Sequence, residues 1–229
     1  PWRVFLPFEL SPFKFTGFAG MASHGAAIGV IIAMFFYSRK HLEGRFLWML
    51  DRIVIPSAIG GTFVRLGNLM NSEINGKESG DFFAGFKFVR DLGDEKVRDA
   101  IRATGVSDTD NAIEALVNDP QYADLLANIP FNHPAQLYEA ICYVGVFLVL
   151  VYFYWKTDKY KKPGFLVGMF FVLLFTVRLL IENIKEPQTT KDAFELLSIQ
   201  FNTGQLLSVP FIILGLYLIF RPVEKNSNA

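Results

Sequence analysis

Five apolar runs, at roughly residues 18–37, 47–70, 135–155, 164–184 and 204–220, alternate with polar segments along the chain. Each has about the length a helix needs to cross a hydrocarbon core of roughly 30 Å. The runs are apolar throughout, whereas membrane barrel strands alternate over about ten residues. A helix also satisfies its own backbone hydrogen bonds where no water is present. The pattern predicts an all-α, polytopic transmembrane helical bundle with about five spans.

The short loops set its orientation. Arg39, Lys40 and Arg45 lie between the first two runs, Lys156, Lys159, Lys161 and Lys162 between the third and fourth, and Arg221 and Lys225 after the fifth. Under strict alternation these loops share one side, and retained Lys and Arg mark that side as cytoplasmic. Residues 1–17, 71–134 and 185–203 then face outward. The segment 77–130 is too long for a plain connector, and two stretches within it carry helical spacing. DEKVRDAIRATG places Val97, Ala100 and Ile101 on one face, and SDTDNAIEALVNDP offers Ser107 and Asp108 as caps and stops at Asp119-Pro120. The expected organisation is 1–76 with two spans, 77–130 as an external acidic loop subdomain, and 131–229 with three spans and a cytoplasmic tail.

Composition supports the membrane class: 52% of the 229 residues are hydrophobic, 15% are aromatic, and the mean hydropathy is +0.31. A soluble chain would expose large apolar patches with these runs. The formal net charge of zero hides a segregation, because residues 72–134 hold 6 Lys/Arg against 12 Asp/Glu. The acidic stretch and the basic remainder are expected to face different compartments. The lone Cys142 excludes an intrachain disulfide and reads as a packed small residue. The chain starts at Pro1 with no charged leader and cleavage site before the first run, so a beginning further upstream is expected.

Ionisable groups inside spans cost roughly 2.5–3.5 kcal/mol each on insertion scales and need a reason to be there. They are His24, Asp51, Arg52, Arg65, Glu139, Arg178 and Glu182. Asp51 and Arg52 fit an interfacial pair that snorkels towards water. Arg65, Asn68, Asn71 and Glu73 follow one another at near-helical spacing beside Gly60, Gly61 and Gly67. That arrangement fits either close helix packing with interhelical hydrogen bonds or a site. Arg178 and Glu182 share a face at i, i+4, where a mutual ion pair is the simplest explanation. Yet Arg65 and Arg178 are expected at similar depth, and two guanidiniums at one level can bind a phosphate. His24 in ASHGAAIG fits an interhelical donor as well as a catalytic group. HPAQLYE, residues 133–139, opens a span with Pro134 and offers Gln136, Tyr138 and Glu139.

Taken in order, GMASHGAAIGV, RLGNLMNSEING, HPAQLYEA, RLLIENIKEP and NTGQLLSVP resemble the ordered motifs of the prolipoprotein diacylglyceryl transferase family. The resemblance covers nearly all of the chain and is weakest over 77–130. Ala26 stands where the family has a second Gly, Lys185 where an Arg is usual, and Leu174 where a Tyr is frequent. The family has about seven spans, so the resemblance implies that this chain enters after two of them.

The resemblance implies a multi-pass enzyme of the bacterial inner membrane, with its site towards the periplasm and its C-terminus in the cytoplasm. It would transfer the diacylglyceryl group of phosphatidylglycerol to the cysteine thiol of a prolipoprotein signal-peptide lipobox. Catalytic roles fall on His24, Arg65, Glu73, Arg178 and Glu182, and headgroup contacts on Arg65, Asn68, Asn71, Glu73, Gln136, Tyr138 and Arg178. No cofactor is expected. His24, His41 and His133 are not at metal-ligand spacing, and no nucleic-acid partner is implied. The alternatives are a transporter or channel with an intramembrane Arg/Glu path, or an inactive truncated homologue.

Overall fold

The structure, a computed structural model, describes the backbone of residues 8–10, 13–15, 23–80, 82–185, 193–196 and 199–222, and side chains within 29–80, 82–185 and 205–222. The chain divides into two compact units, Pro1–Leu50 and Asp51–Ala229.

In the first unit, β1 (Phe8–Leu10) pairs antiparallel with β2 (Phe13–Phe15). Apolar and charged residues alternate here with the period of a strand, and the register sets Glu9 opposite Lys14. α1 (Ser23–His41) closes on Arg39 and Lys40, cations that complement the negative end of its dipole. The N–H groups of Leu42 and Gly44 both end on the Ser38 carbonyl, and Gly44 adopts the left-handed backbone (φ 78°) that turns the chain into α2 (Phe46–Met70).

The second unit holds the rest of α2, three loop helices and three further apolar helices. α3 (Glu95–Ala103) is capped by Asp94, and α4 (Thr109–Asn118) by Asp108. A 3-10 turn at Pro120–Tyr122 and α5 (Ala123–Asn128) follow, an addition that the spacing did not predict. Val97, Ala112, Ile113, Leu116 and Ile129 bury one another, so the segment has its own small core. Two of the further apolar helices are α6 (Ala135–Lys156) and α7 (Phe165–Ile181). β3 (Ala193–Leu196) and β4 (Ile199–Asn202) form a short hairpin leading into α8 (Thr203–Phe220). The two hairpins are the departures from the all-helical expectation.

α1, α2, α6, α7 and α8 lie over the five predicted runs. α2 and α6 are long and apolar enough to cross a membrane, and α7 and residues 205–220 of α8 are shorter apolar helices. Large apolar side chains such as Phe63, Ile141, Leu148 and Phe220 face outward, as lipid contact requires.

α7 and α8 meet backbone to backbone. A Cβ on Gly168 would come 2.7 Å from the Gly215 carbonyl oxygen, and one on Gly215 equally near that of Gly168. Small residues at such a crossing let membrane helices approach, and Phe175 stacks on Phe211 beside it at 4.4 Å. Asp51 departs from the snorkelling expectation. It is fully buried and accepts hydrogen bonds from Gly164 N (2.6 Å) and Val167 N (2.9 Å). Donors in the first turn of α7 have no partner within their own helix, so a carboxylate from α2 serves them better than solvent would.

We predict that Gly168→Ala lowers the thermal midpoint of the detergent-solubilised protein, an overpacking loss of about 1–3 kcal/mol. Gly145→Ala, where an added Cβ meets nothing within 4 Å, leaves the midpoint unchanged or raised.

Candidate functional site

Three segments are laced together at one end of the second unit. Gly76 N donates to His133 O (2.9 Å), Lys77 N to Ile184 O (2.8 Å) and His133 N to Lys77 O (3.0 Å). The Asn132 amide adds a bond to Gly76 O at 3.0 Å. The end of α2, the start of α6 and the end of α7 are therefore fixed against one another. Gly76 has to be glycine, since a Cβ would lie 2.6 Å from His133 O.

Glu139 sits at the centre of this lacing with 0% of its side chain exposed. One oxygen lies 2.7 Å from Arg65 Nε, an ion pair in which the N–H is not aimed along the line of a hydrogen bond. The other accepts a hydrogen bond from Lys185 Nζ at 2.9 Å. Lys185 is itself buried and also lies 3.7 Å from Glu182 Oε2. Each buried ion costs several kcal/mol to desolvate, and a carboxylate set between two cations offsets much of that cost.

Tyr143, one turn beyond Glu139, is almost fully buried. Its ring lies against Gly61, where an added Cβ would come within 3.2 Å. The charges of both Arg65 and Arg178 act on its hydroxyl. Tyr143 is therefore within electrostatic reach of guanidiniums from both α2 and α7. Among the described residues, Arg178 Nε, Asn68 Oδ1 and Gln136 Oε1 are buried without a hydrogen-bond partner.

Beside this cluster, Asn68 Nδ2 donates to Glu73 Oε2 at 3.0 Å, and Gln136 Nε2 donates to Glu73 O and to Asn75 Oδ1 (2.7 Å). Asn75 in turn reaches Asp91 at 2.6 Å, tying the shelf to the loop subdomain.

Of the residues singled out from sequence, Arg65, Arg178, Asn68, Glu73, Gln136 and Glu182 border this region. α2 ends at Met70, so Asn71 lies past the helix and is exposed rather than sharing the face of Asn68. Tyr138 sits at the rim with its hydroxyl 3.3 Å from His133 Nδ1. His24 lies in α1, and its side chain is outside the described residues. The sequence reading gave no role to Tyr143, Lys185 or Asn75, and it did not pair Glu139 with Arg65. A signal existed: Glu139 and Tyr143 are spaced i, i+4 on one face of α6. Among the described residues no group of three His, Cys, Asp or Glu is placed to hold a metal ion.

The family model for prolipoprotein diacylglyceryl transferase matches residues 8–221. The chain belongs to that family. Similar curated proteins, each named phosphatidylglycerol–prolipoprotein diacylglyceryl transferase, include one from Porphyromonas gingivalis, 35% identical over 98% of this chain and 67% of its own length. Another, from Tolumonas auensis, is 38% identical over 91% of this chain and 65% of its own. A third, from Bacteroides fragilis, is 35% identical over 99% and 68%. The chain spans about two thirds of the length of these relatives. The comparisons support the transferase reading and lend none to a transporter or channel.

Removing Lys185 leaves a fully buried carboxylate oxygen short of its donor. Lys185→Ala is therefore expected to lower stability by about 1–3 kcal/mol, whereas Lys185→Arg retains it, as read by thermal unfolding in detergent. Equal midpoints for Lys185→Ala and the parent chain would remove Lys185 from the network.

Proposed function

We propose that this chain transfers the diacylglyceryl group of phosphatidylglycerol to the lipobox cysteine thiol of a prolipoprotein and releases glycerol phosphate. The thiolate forms a bond to the diacylglyceryl carbon while the bond from that carbon to the phosphate oxygen breaks. The electron pair leaves on the phosphate. Negative charge grows on the leaving group, so fixed cations at its oxygens stabilise the transition state more than the ground state.

The observation that carries this reading is Arg178 Nε, buried and without a hydrogen-bond partner among the described residues, with Arg65 and Arg178 both within electrostatic reach of Tyr143. A phosphate there would receive planar, multidentate donors. Glu139 and Lys185 hold Arg65 in place. Asn68, Asn71, Gln136 and Tyr138 serve headgroup hydroxyls, and Glu73 and Glu182 orient the cations or those hydroxyls. The attacking thiol has an ordinary pKa near 8.5 and needs a proton acceptor or local positive charge, and we assign that assistance to His24.

In this account the chain crosses the bacterial inner membrane several times, with the site facing the periplasm and the C-terminus in the cytoplasm. Clustered cations support that orientation. Arg39 and Lys40 end α1 and Arg45 immediately precedes α2, and Lys159, Lys161 and Lys162 lie between α6 and α7, whereas the acidic 77–130 segment follows the opposite end of α2. The segments 1–76, 77–130 and 131–229 are then two spans, an external subdomain, and three spans with a tail.

Arg65→Ala and Arg178→Ala should each reduce transfer by about 100-fold or more while the protein stays membrane-inserted. The measurement is the mass gain on a lipobox peptide incubated with phosphatidylglycerol. Near-parental turnover in either variant would remove the phosphate assignment. His24→Gln with full activity would leave that histidine with packing alone.

A further inference from the structure

Within the acidic 77–130 segment, one turn is strongly apolar. Phe82 N donates to Ser79 O and Gly85 N to Phe82 O, closing a tight turn that presents Phe83 with 94% of its surface exposed and Phe82 half-exposed. The chain after Phe83 is tied to residues 131 and 132. A Cβ on Gly85 would run into Ser79 and Phe131, and Phe86 and Asn132 exchange backbone hydrogen bonds at 3.0 and 2.9 Å.

Asn132 is three residues before the first residue of α6, so the turn's anchor lies at most about 10 Å along the chain from where that helix begins. Its rings also run towards the helix. Phe83 contacts Phe82 (4.8 Å), Phe82 contacts His133 (5.0 Å), and His133 contacts Tyr138 (6.2 Å) in the first turns of α6. Tyr138, Ile141, Gly145, Leu148 and Tyr152 follow at intervals of three and four residues on one helix face. Ile141, Leu148 and Tyr152 are well exposed on it. The buried Glu139, Tyr143, Val146 and Leu150 occupy the other face. The aromatic ladder therefore continues, on the same side, into the outward apolar stripe of α6.

We propose that the Phe82–Phe83 turn is an interfacial anchor: it inserts into the headgroup and upper acyl region of the bilayer and holds the acidic subdomain against the membrane beside the site. Exposed Phe rings gain by burying apolar area at the headgroup–acyl boundary. An acidic surface would otherwise be repelled by anionic lipid, which gives the turn a purpose. The inference rests on α6 spanning a bilayer and not on the transfer chemistry.

The test uses the full chain with its single cysteine removed (Cys142→Ser), reconstituted in vesicles of phosphatidylethanolamine and phosphatidylglycerol. An environment-sensitive fluorophore is placed on one new cysteine at a time, Phe83→Cys, Leu148→Cys or Val117→Cys. Leu148 lies near the middle of α6, and Val117 is exposed on α4. Quenchers are attached to lipid near the headgroup or near the chain end. The Phe83 label should be blue-shifted and lose emission mainly to the shallow quencher, the Leu148 label mainly to the deep one, and the Val117 label to neither. A Leu148 label quenched by lipid beside an unquenched Phe83 label would overturn the anchor and leave α6 in the membrane. An unquenched Leu148 label would overturn both. A Phe83 label that ignores lipid and responds only to added lipobox peptide would assign the turn to peptide docking instead.

Discussion

A carboxylate cut off from water governs this end of the molecule. Glu139 on α6 has Arg65 of α2 at 2.7 Å and Lys185, just past α7, at 2.9 Å. An isolated charge in that position would cost several kcal/mol, so the three segments gain from meeting and lose if any one withdraws. Tyr143, one turn beyond Glu139, lies within electrostatic reach of both Arg65 and Arg178. The cluster concentrates positive charge without leaving Glu139 unpaired.

The backbone makes that meeting repeatable. Gly76–Lys77, His133 and Ile184 belong to three segments far apart in sequence, yet Gly76 N–H bonds His133 O, His133 N–H bonds Lys77 O and Lys77 N–H bonds Ile184 O. Side chains fixed to such a frame need little further reorganisation to receive a ligand, which is what electrostatic stabilisation of a transition state demands. At the other end of α7, Asp51 serves the helix start, so both ends of that helix are held by α2 or the chain that follows it.

Much of this was legible in sequence because it is local. Apolar runs gave the helices, Asp108 the cap of α4, and the motif order the family. Periodicity also assigned Arg178 and Glu182 to one face. It could not say what faced them, because a face is a property of one helix and a partner a property of two. Glu139 stood out as an ionisable group inside a span, but only the packing of α6 against α2 identifies Arg65 as its counter-ion. Asn71 was misassigned to the helical face because Ser72 and Ile74 take positive φ and the chain leaves the helix at Met70. Asp51 read as a surface charge since its partners, Gly164 and Val167, are backbone donors more than a hundred residues away.

The central claim is that Glu139 and Arg65 act as a coupled buried pair. A double-mutant cycle with Glu139→Gln and Arg65→Gln, read by unfolding free energy in detergent micelles, tests it most directly. The account predicts a coupling of about 2 kcal/mol, the double variant losing less than the two single losses combined. Losses that add within about 0.5 kcal/mol would contradict it.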